Sequence, residues 1–271
     1  MNNENRTQSN QSSKPDLKKI AVVIIPLVFA IALTVAIALL IGGKNIDGTP
    51  EASDGLMETP AQSDIAVGGE PEDDPNLFSQ GLEFRSNADG SATVAGLGSC
   101  ADKVLKIPSK SPSGEPVTSI GDNAFSGVTA IDEVILPESI VTIGAYAFKS
   151  SSIKSVTIGS SVMSIGTGAF AKCTSLSEIK VSGANALFTS ENGILYSRDM
   201  TELICYPSGK SDTSYTIPAS VTEIRSMALS SVPALKKIYF DGNAAKWKAI
   251  YIGSGNDVLD LITVEVNSSD K

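Results

Sequence analysis

Histidine is absent from the 271 residues of this sequence. Its absence removes the most common general base, the most common metal ligand, and the Ser-His and Cys-His nucleophile systems. Paired carboxylates remain the other acid–base option, but the acidic residues are best interpreted as scattered surface charges. We therefore expect no enzymatic activity: no catalytic residues, no metal site and no cofactor.

Clusters of basic residues are also missing. The net charge is −9, and most of the acidic excess falls in residues 44–80, which hold nine acidic residues and one basic residue. A protein that follows nucleic-acid phosphates needs a basic patch or stripe. This charge distribution argues against nucleic-acid binding.

A long uncharged apolar run is present near the start. Residues 20–41 contain 22 residues without a charge, and a helix of that length crosses a hydrocarbon core of about 30 Å. Lys14, Lys18 and Lys19 precede the run, which predicts a cytoplasmic N-terminal side. We expect a single-pass protein of the cell membrane, anchored in the lipid bilayer, with a cytoplasmic tail (1–19) and the rest outside.

A cleaved signal peptide is the alternative interpretation of this run. The apolar region of a signal peptide is about 7–15 residues long and ends in a small-x-small site. Residues 36–38 have that form but lie inside the run, so a retained anchor is favoured. Residues 42–80 follow, with four prolines and "EPEDDP" at 70–75. Their low apolar content predicts a disordered acidic linker.

One short phrase recurs farther along the chain. It is "SIGDNAF" at 119–125, "TIGAYAF" at 142–148 and "SIGTGAF" at 164–170, with a degenerate copy, "EIRSMAL", at 223–229. The first three copies start 23 and 22 residues apart. A period of 20–29 residues with an L-x-x-L-x-L core is typical of leucine-rich repeats. The sequence therefore predicts a mostly β leucine-rich-repeat solenoid of short strands and 3₁₀ or turn segments.

Each conserved letter of the phrase has an expected role. The Ala and Phe close each coil, and stacked coils bury one another's apolar faces. The glycine is expected where the chain turns with positive φ. The glycines are Gly121, Gly144 and Gly166. The degenerate copy has Arg225 and Leu229 in place of the Gly and the Phe, so its turn is expected to be distorted.

These motifs resemble the BspA-like leucine-rich repeats of bacterial cell-surface proteins. The resemblance extends to "LEFRSNADGSATVAGLGSC" (82–100), similar to an opening hairpin, and "ENGILYSRDMTELICYPSGK" (191–210), similar to a hairpin insertion. "YFDGNAAKWKAI" (239–250) is similar to a closing element, in which Trp247 is expected to fill the cap. We expect a solenoid at 81–266, with N-terminal and C-terminal caps, and a short tail at 267–271.

The three cysteines, Cys100, Cys173 and Cys205, are an odd number for a domain outside the membrane. At least one is therefore unpaired or bonded to another chain. Cys173 lies three residues after a repeat phenylalanine, where other copies have small residues. We expect Cys173 to be a buried packing residue.

The outward residues of the stacked strands form two columns that can serve as a binding face. The candidate ligand contacts are Lys106, Glu133, Ile135, Thr157, Glu178, Lys180, Lys237 and Tyr239. Two strand spacings, about 9–10 Å, would separate Glu133 from Glu178, which exceeds the retaining distance and reaches the top of the inverting range of glycosidases. Scattered surface acids are the favoured interpretation of these two residues. The resemblance implies non-enzymatic binding or adhesion to an extracellular protein or glycan. The alternative is a structural spacer or assembly module of the cell envelope.

Overall fold

The structure, a computed structural model, describes residues 78–266 of the protein. The predicted cytoplasmic tail (1–19), membrane helix (20–41), most of the linker (42–80) and the tail (267–271) lie outside these residues. In the described part of the chain, no helix is long and apolar enough to cross a membrane.

Short strands make up most of the regular structure. They are β1 (Glu83–Ser86), β2 (Ala92–Gly96), β3 (Val104–Lys106), β4 (Val117–Ile120), β5 (Glu133–Ile135), β6 (Thr142–Ile143), β7 (Ser155–Ile158), β8 (Ser164–Ile165), β9 (Glu178–Val181), β10 (Phe188–Glu191), β11 (Ile194–Ser197), β12 (Glu202–Cys205), β13 (Ser214–Ile217), β14 (Glu223–Ile224), β15 (Lys237–Phe240), β16 (Tyr251–Ile252) and β17 (Val264–Val266). Two short helices, α1 (Ala244–Ala249) and α2 (Val258–Leu261), lie near the end.

Each coil of the solenoid adds one strand to each of two parallel sheets. One sheet has the order β3-β5-β7-β9, and the other has β2-β4-β6-β8, with β1 paired antiparallel to β2. Next in the chain come the antiparallel strands β10, β11 and β12. The strands β14 and β16 extend the sheet of β12, in the order β10-β11-β12-β14-β16, and β13-β15-β17 form a separate three-stranded sheet. The predicted mostly β solenoid is confirmed. Turns connect its strands, and no 3₁₀ helix occurs between residues 78 and 266.

Inward-facing side chains fill the interior of each coil. Along β5 the middle residue, Val134, is buried while its two neighbours face solvent, as the two-residue period of a strand requires. The repeat phenylalanines stack: the ring of Phe148 lies 5.2 Å from that of Phe125 and 5.7 Å from that of Phe170. Burial of each ring contributes about 1.5–3 kcal/mol. The aromatic column explains why Phe recurs at this position in the first three copies.

The antiparallel unit β10-β11-β12 divides the interior into two apolar cores. Alternate residues of its strands face opposite sides, so Leu195 and Ile204 join the N-terminal core. Tyr196 and Leu203 join the C-terminal core. The predicted hairpin insertion is therefore a wall between the two cores.

The repeat glycines have a different role from the predicted one. Their φ angles are not positive; positive φ occurs two residues later, at Asn123, Tyr146 and Gly168. A Cβ at Gly144 would lie 2.6 Å from the carbonyl carbon of Gly121 in the preceding coil, and a Cβ at Gly166 would overlap the backbone of Ala145. The prediction of a left-handed glycine was wrong, because the glycine is required for the close approach of stacked coils.

The degenerate fourth copy keeps the same turn despite its substitutions. Met227 has φ 65°, close to the 56° of Tyr146 in the second copy, so the expected distortion is not found. Leu229 is fully buried in place of the phenylalanine. Arg225 follows β14, and its side chain reaches back to β8, the last strand of the sheet β1-β2-β4-β6-β8. Its Nη2 donates a hydrogen bond to the backbone oxygen of Ile165, at 3.1 Å.

The described chain ends in the two short helices and β17. Asn243 caps α1 by accepting a hydrogen bond from the Lys246 N–H. The Trp247 ring lies 5.5 Å from that of Phe240, at 49° to it, and packs against the C-terminal core. This contact agrees with the predicted role of Trp247 as a packing residue.

Candidate binding site

Six of the eight predicted contact residues lie together on one sheet. The ladder pairs Lys106 with Ile135 between β3 and β5, and Thr157 with Lys180 between β7 and β9. Glu133 and Glu178 both pair with Ser155, which lies between them on β7. We call this surface the strand face: the outward side chains of β3, β5, β7 and β9.

The strand face is solvated and of mixed chemistry. Ile135 is 44% exposed and is flanked by charged and polar side chains. Lys180 Nζ lies 3.3 Å from Glu178 Oε2, with both side chains largely exposed. An exposed pair of this kind contributes about 0–1 kcal/mol. This ion pair therefore contributes little to the stability of the coils.

The remaining two predicted residues, Lys237 and Tyr239, lie on β15, beyond the antiparallel unit. Tyr239 is half-buried between Thr216 of β13 and Glu265 of β17 in the ladder. Lys237 Nζ lies 3.7 Å from a Glu265 carboxylate oxygen. Each of the two predicted columns is thus interrupted between β9 and β13, because the insertion lies there in the chain and replaces the parallel pairing expected.

The insertion covers the free edge of β9. Its first two strands are joined at Asn192 and Gly193, both with positive φ (51° and 77°), the backbone that an Asn-Gly turn favours. The Ile179 N–H donates to the Gly193 carbonyl at 3.0 Å, and the Val181 N–H donates to Ser190 Oγ at 3.2 Å.

The edge of β13 on the side away from β15 has no strand paired with it in the described part of the chain. Thr213 and Ile217 accept hydrogen bonds from the β15 side, at 3.1 Å from the Lys237 N–H and 2.9 Å from the Asp241 N–H. Backbone groups alternate along a strand, so the N–H and C=O of Ser214 and Thr216 point away from β15. Within residues 78–266, β13 pairs with no other strand.

A groove of about 580 Å³ lies between this open edge and the turn of the insertion. We call it the hairpin groove; Glu191, Asn192, Tyr196, Ser214, Tyr215 and Thr216 are among the residues that line it. Its volume falls within the range of small-ligand and peptide pockets.

Two tyrosines, Tyr196 and Tyr215, line the inner wall of the hairpin groove, and a third, Tyr206, packs against them. The Tyr196 and Tyr215 hydroxyl oxygens are 2.7 Å apart, and the Tyr206 ring lies 5.0 Å from that of Tyr215. Burial raises the pKa of Tyr196 to about 12. Burial, followed by the neighbouring Tyr196, raises the pKa of Tyr215 well above its usual value. Both phenols are therefore protonated hydrogen-bond donors at physiological pH.

Lys210 and Asp212 join the two sides of the hairpin groove. Lys210 Nζ donates to the Asn192 carbonyl at 2.8 Å and lies 3.3 Å from Asp212 Oδ2. The same Asp212 oxygen accepts from the Tyr206 hydroxyl at 3.2 Å. The Lys210 side chain is only 15% exposed, so this contact is held in place and maintains the separation of the two walls.

Sequence reasoning did not identify this groove. The available signal was the spacing of tyrosines, because three of the six tyrosines in the chain occur between residues 196 and 215. Their contact depends on how the insertion packs against the next coil, which the repeat pattern does not specify.

The cysteines show no feature of a reactive thiol. All three are buried and free. Cys173 is fully buried and donates through Sγ to the Phe148 carbonyl at 2.9 Å, and burial raises the pKa of its thiol. The predicted packing role of Cys173 is confirmed. No group of three or more His, Cys, Asp and Glu side chains that could hold a metal ion occurs in residues 78–266.

Residues 105–205 match the BspA type leucine rich repeat region, in six copies. The repeats in these residues are therefore of the BspA type. The matched region contains the strand face from Lys106 onward and ends at Cys205, so β13 and its open edge lie beyond it.

Solved structures similar to this chain come from several bacteria. A leucine rich cell surface protein from Faecalibacterium prausnitzii A2-165 is 18% identical, over 66% of this chain and 72% of that chain, with a TM-score of 0.42. A leucine-rich repeat protein from Eubacterium ventriosum is 20% identical, over 71% and 72%, with a TM-score of 0.43. The Leucine Rich Repeat protein of T. pallidum is 20% identical, over 65% and 79%, with a TM-score of 0.42. No curated protein sequence matches the chain significantly.

Proposed function

We propose that this BspA-type protein binds another protein at the bacterial cell surface and catalyses no reaction. The strand face is the observation that carries the proposal. Its side chains are aligned by the ladder across four strands, yet they are not required by the core. Regular exposed columns of this kind on repeat proteins form extended binding surfaces. The absence of histidine from the sequence agrees with a binding role.

The proposed location is the outer surface of the cell membrane. The 22-residue apolar run at 20–41 and the lysines before it support a single-pass anchor with residues 1–19 in the cytoplasm. The acidic residues 42–80 would then separate the repeats from the membrane. Protease added to intact cells should remove the repeats and leave the tail. Full protection of residues 81–271 would contradict this topology.

Binding can be tested with the full-length protein on an array that carries extracellular proteins and glycans. The proposal predicts retention of at least one protein, and loss of that retention after heat unfolding of the repeats. If only glycans are retained, the ligand is a glycan and not a protein as proposed. If nothing is retained, the alternative role as an envelope spacer or assembly module is favoured.

A further inference from the structure

We infer that the hairpin groove binds an extended basic peptide segment of the partner protein, which pairs with the open edge of β13. The inference rests on the proposed binding function and assigns to it a second contact site and a ligand class. None of the eight candidate contact residues lines this groove, and β13, which supplies its open edge, lies beyond the matched residues 105–205.

The first argument is the hydrogen-bonding edge of β13. Ser214 and Thr216 present N–H and C=O groups to the groove, whereas the opposite wall already satisfies the edge of β9 through Gly193 and Ser190. An unpaired strand edge is a template for another strand, and adding an extended peptide to such an edge is a common recognition mode. The open edge runs between walls that Lys210 holds apart.

The second argument is a surplus hydrogen-bond donor in the buried wall. Tyr196 and Tyr215 are 2% and 8% exposed, and their hydroxyl oxygens share one hydrogen bond. Each phenol carries one proton, so one proton fills that bond and the other has no acceptor among residues 78–266. Both side chains line the groove. A ligand carbonyl oxygen at this wall would accept the remaining proton.

The third argument is charge. The charged residues that line the groove are Glu191, Lys210 and Asp212. Lys210 is paired with Asp212, while Glu191 is exposed and has no ion-pair partner in the described part of the chain. A Lys or Arg side chain on the peptide complements Glu191.

An extended peptide fits these three features better than a glycan does. A peptide backbone supplies alternating N–H and C=O groups at the spacing of β13, and one of its carbonyl oxygens can also accept from the phenol pair. A glycan supplies hydroxyls without this alternation. The acidic Glu191 gives no preference to an uncharged sugar.

The test begins with selection of displayed random decapeptides on the full-length protein. Dissociation constants of the selected peptides are then measured by fluorescence anisotropy. Thr216→Pro removes the N–H that faces the groove and leaves the bonds to β15 in place, since proline is tolerated where a strand N–H is unpaired. Thr216→Val keeps that N–H and is the matched control. We expect Thr216→Pro to weaken binding by about tenfold and Thr216→Val to leave it unchanged.

Charge is tested with a second matched pair. Glu191→Gln should weaken binding of the selected peptides, while Asp102→Asn, at an exposed acid before β3 and outside both proposed surfaces, should not. Salt should reduce wild-type affinity more than that of Glu191→Gln. The selected peptides should be enriched in Lys and Arg relative to the unselected library.

Amide hydrogen exchange gives a readout that does not depend on folding of the variants. A saturating selected peptide should slow exchange at the Ser214 and Thr216 amides of the wild-type protein. The inference is overturned if no peptide is selected, if only glycans are retained, or if those amides are unprotected and Thr216→Pro and Glu191→Gln bind normally. A partner captured on the strand face in such a case would leave the proposed function intact.

Discussion

The guanidinium of Arg225 donates to the backbone oxygen of Ile165, 3.1 Å away and 60 residues earlier in the chain. Ile165 ends β8, the last strand of its sheet, so its carbonyl faces the break made by the insertion. In the regular copies a side chain at the position of Arg225 would collide with the preceding coil, as at Gly144. At the insertion no regular coil precedes Arg225, so there is room for a side chain. The arginine connects the coils before the insertion with those after it.

Arg225→Ala should destabilise the protein by about 1–3 kcal/mol, because it leaves the Ile165 carbonyl without this partner in a partly buried position. Arg198→Ala, at an exposed position in the insertion, should change stability by about 0.5 kcal/mol or less. Urea unfolding monitored by circular dichroism measures both. Equal losses for the two variants would show that the Arg225 contact does not stabilise the junction.

Gly166→Ala should also destabilise the protein. The added methyl group would overlap the backbone of Ala145 in the preceding coil, and forced repacking of this kind costs about 1–3 kcal/mol. Gly183→Ala is the control, since a Cβ there meets nothing within 4 Å. The melting temperatures of both variants test this: Gly166→Ala should melt below the wild-type protein and Gly183→Ala should not. An unchanged melting temperature for Gly166→Ala would contradict the explanation that the glycine allows the close approach of stacked coils.

The sequence was sufficient to predict the stacked coils but not their interruption. The spacing of Ile120, Ile143 and Ile165 specifies a periodic structure, and each of these residues is buried as expected. The reason for the glycines was missed because a clash between coils is a contact over 20 or more residues, not a local backbone preference. The hairpin groove was missed for a similar reason, because its walls come from Tyr196 and Tyr215 on strands that are not adjacent in the repeat pattern.

Stability should fall at alkaline pH because of the tyrosine cluster. The folded-state pKa of Tyr196 is raised to about 12 from 10, and that of Tyr215 is raised as well. Their contribution to stability is therefore fully present below pH 10 and is lost as the pH rises from 10 towards 12 and above.

The alkaline prediction can be tested by urea unfolding between pH 8 and pH 12. The double variant Tyr196→Phe/Tyr215→Phe should lose less stability over this range than the wild-type protein. Tyr251→Phe, at a tyrosine that is 66% exposed, serves as the control and should follow the wild type. A double variant that also follows the wild type would show that these two phenols do not ionise on unfolding.

The three thiols should be inaccessible in the folded protein. Cys100, Cys173 and Cys205 are all buried, and burial raises the pKa of Cys173 and Cys205, which lowers their thiolate fraction. A chromogenic disulfide reagent should react slowly with the native protein and with three thiols per chain after unfolding. Fewer than three thiols in the unfolded, unreduced protein would reveal a disulfide.

The most direct test of the binding role is an alanine scan of the outward columns in the full-length protein, measured against a captured partner. Ile135 and Tyr239, the apolar and the aromatic residue of the columns, are the expected anchors. Replacing either with alanine should weaken binding by about 1–2 kcal/mol, with little change in melting temperature. The account predicts that affinity losses occur at these outward positions while the fold is unchanged. Unchanged affinity at every outward position would contradict it.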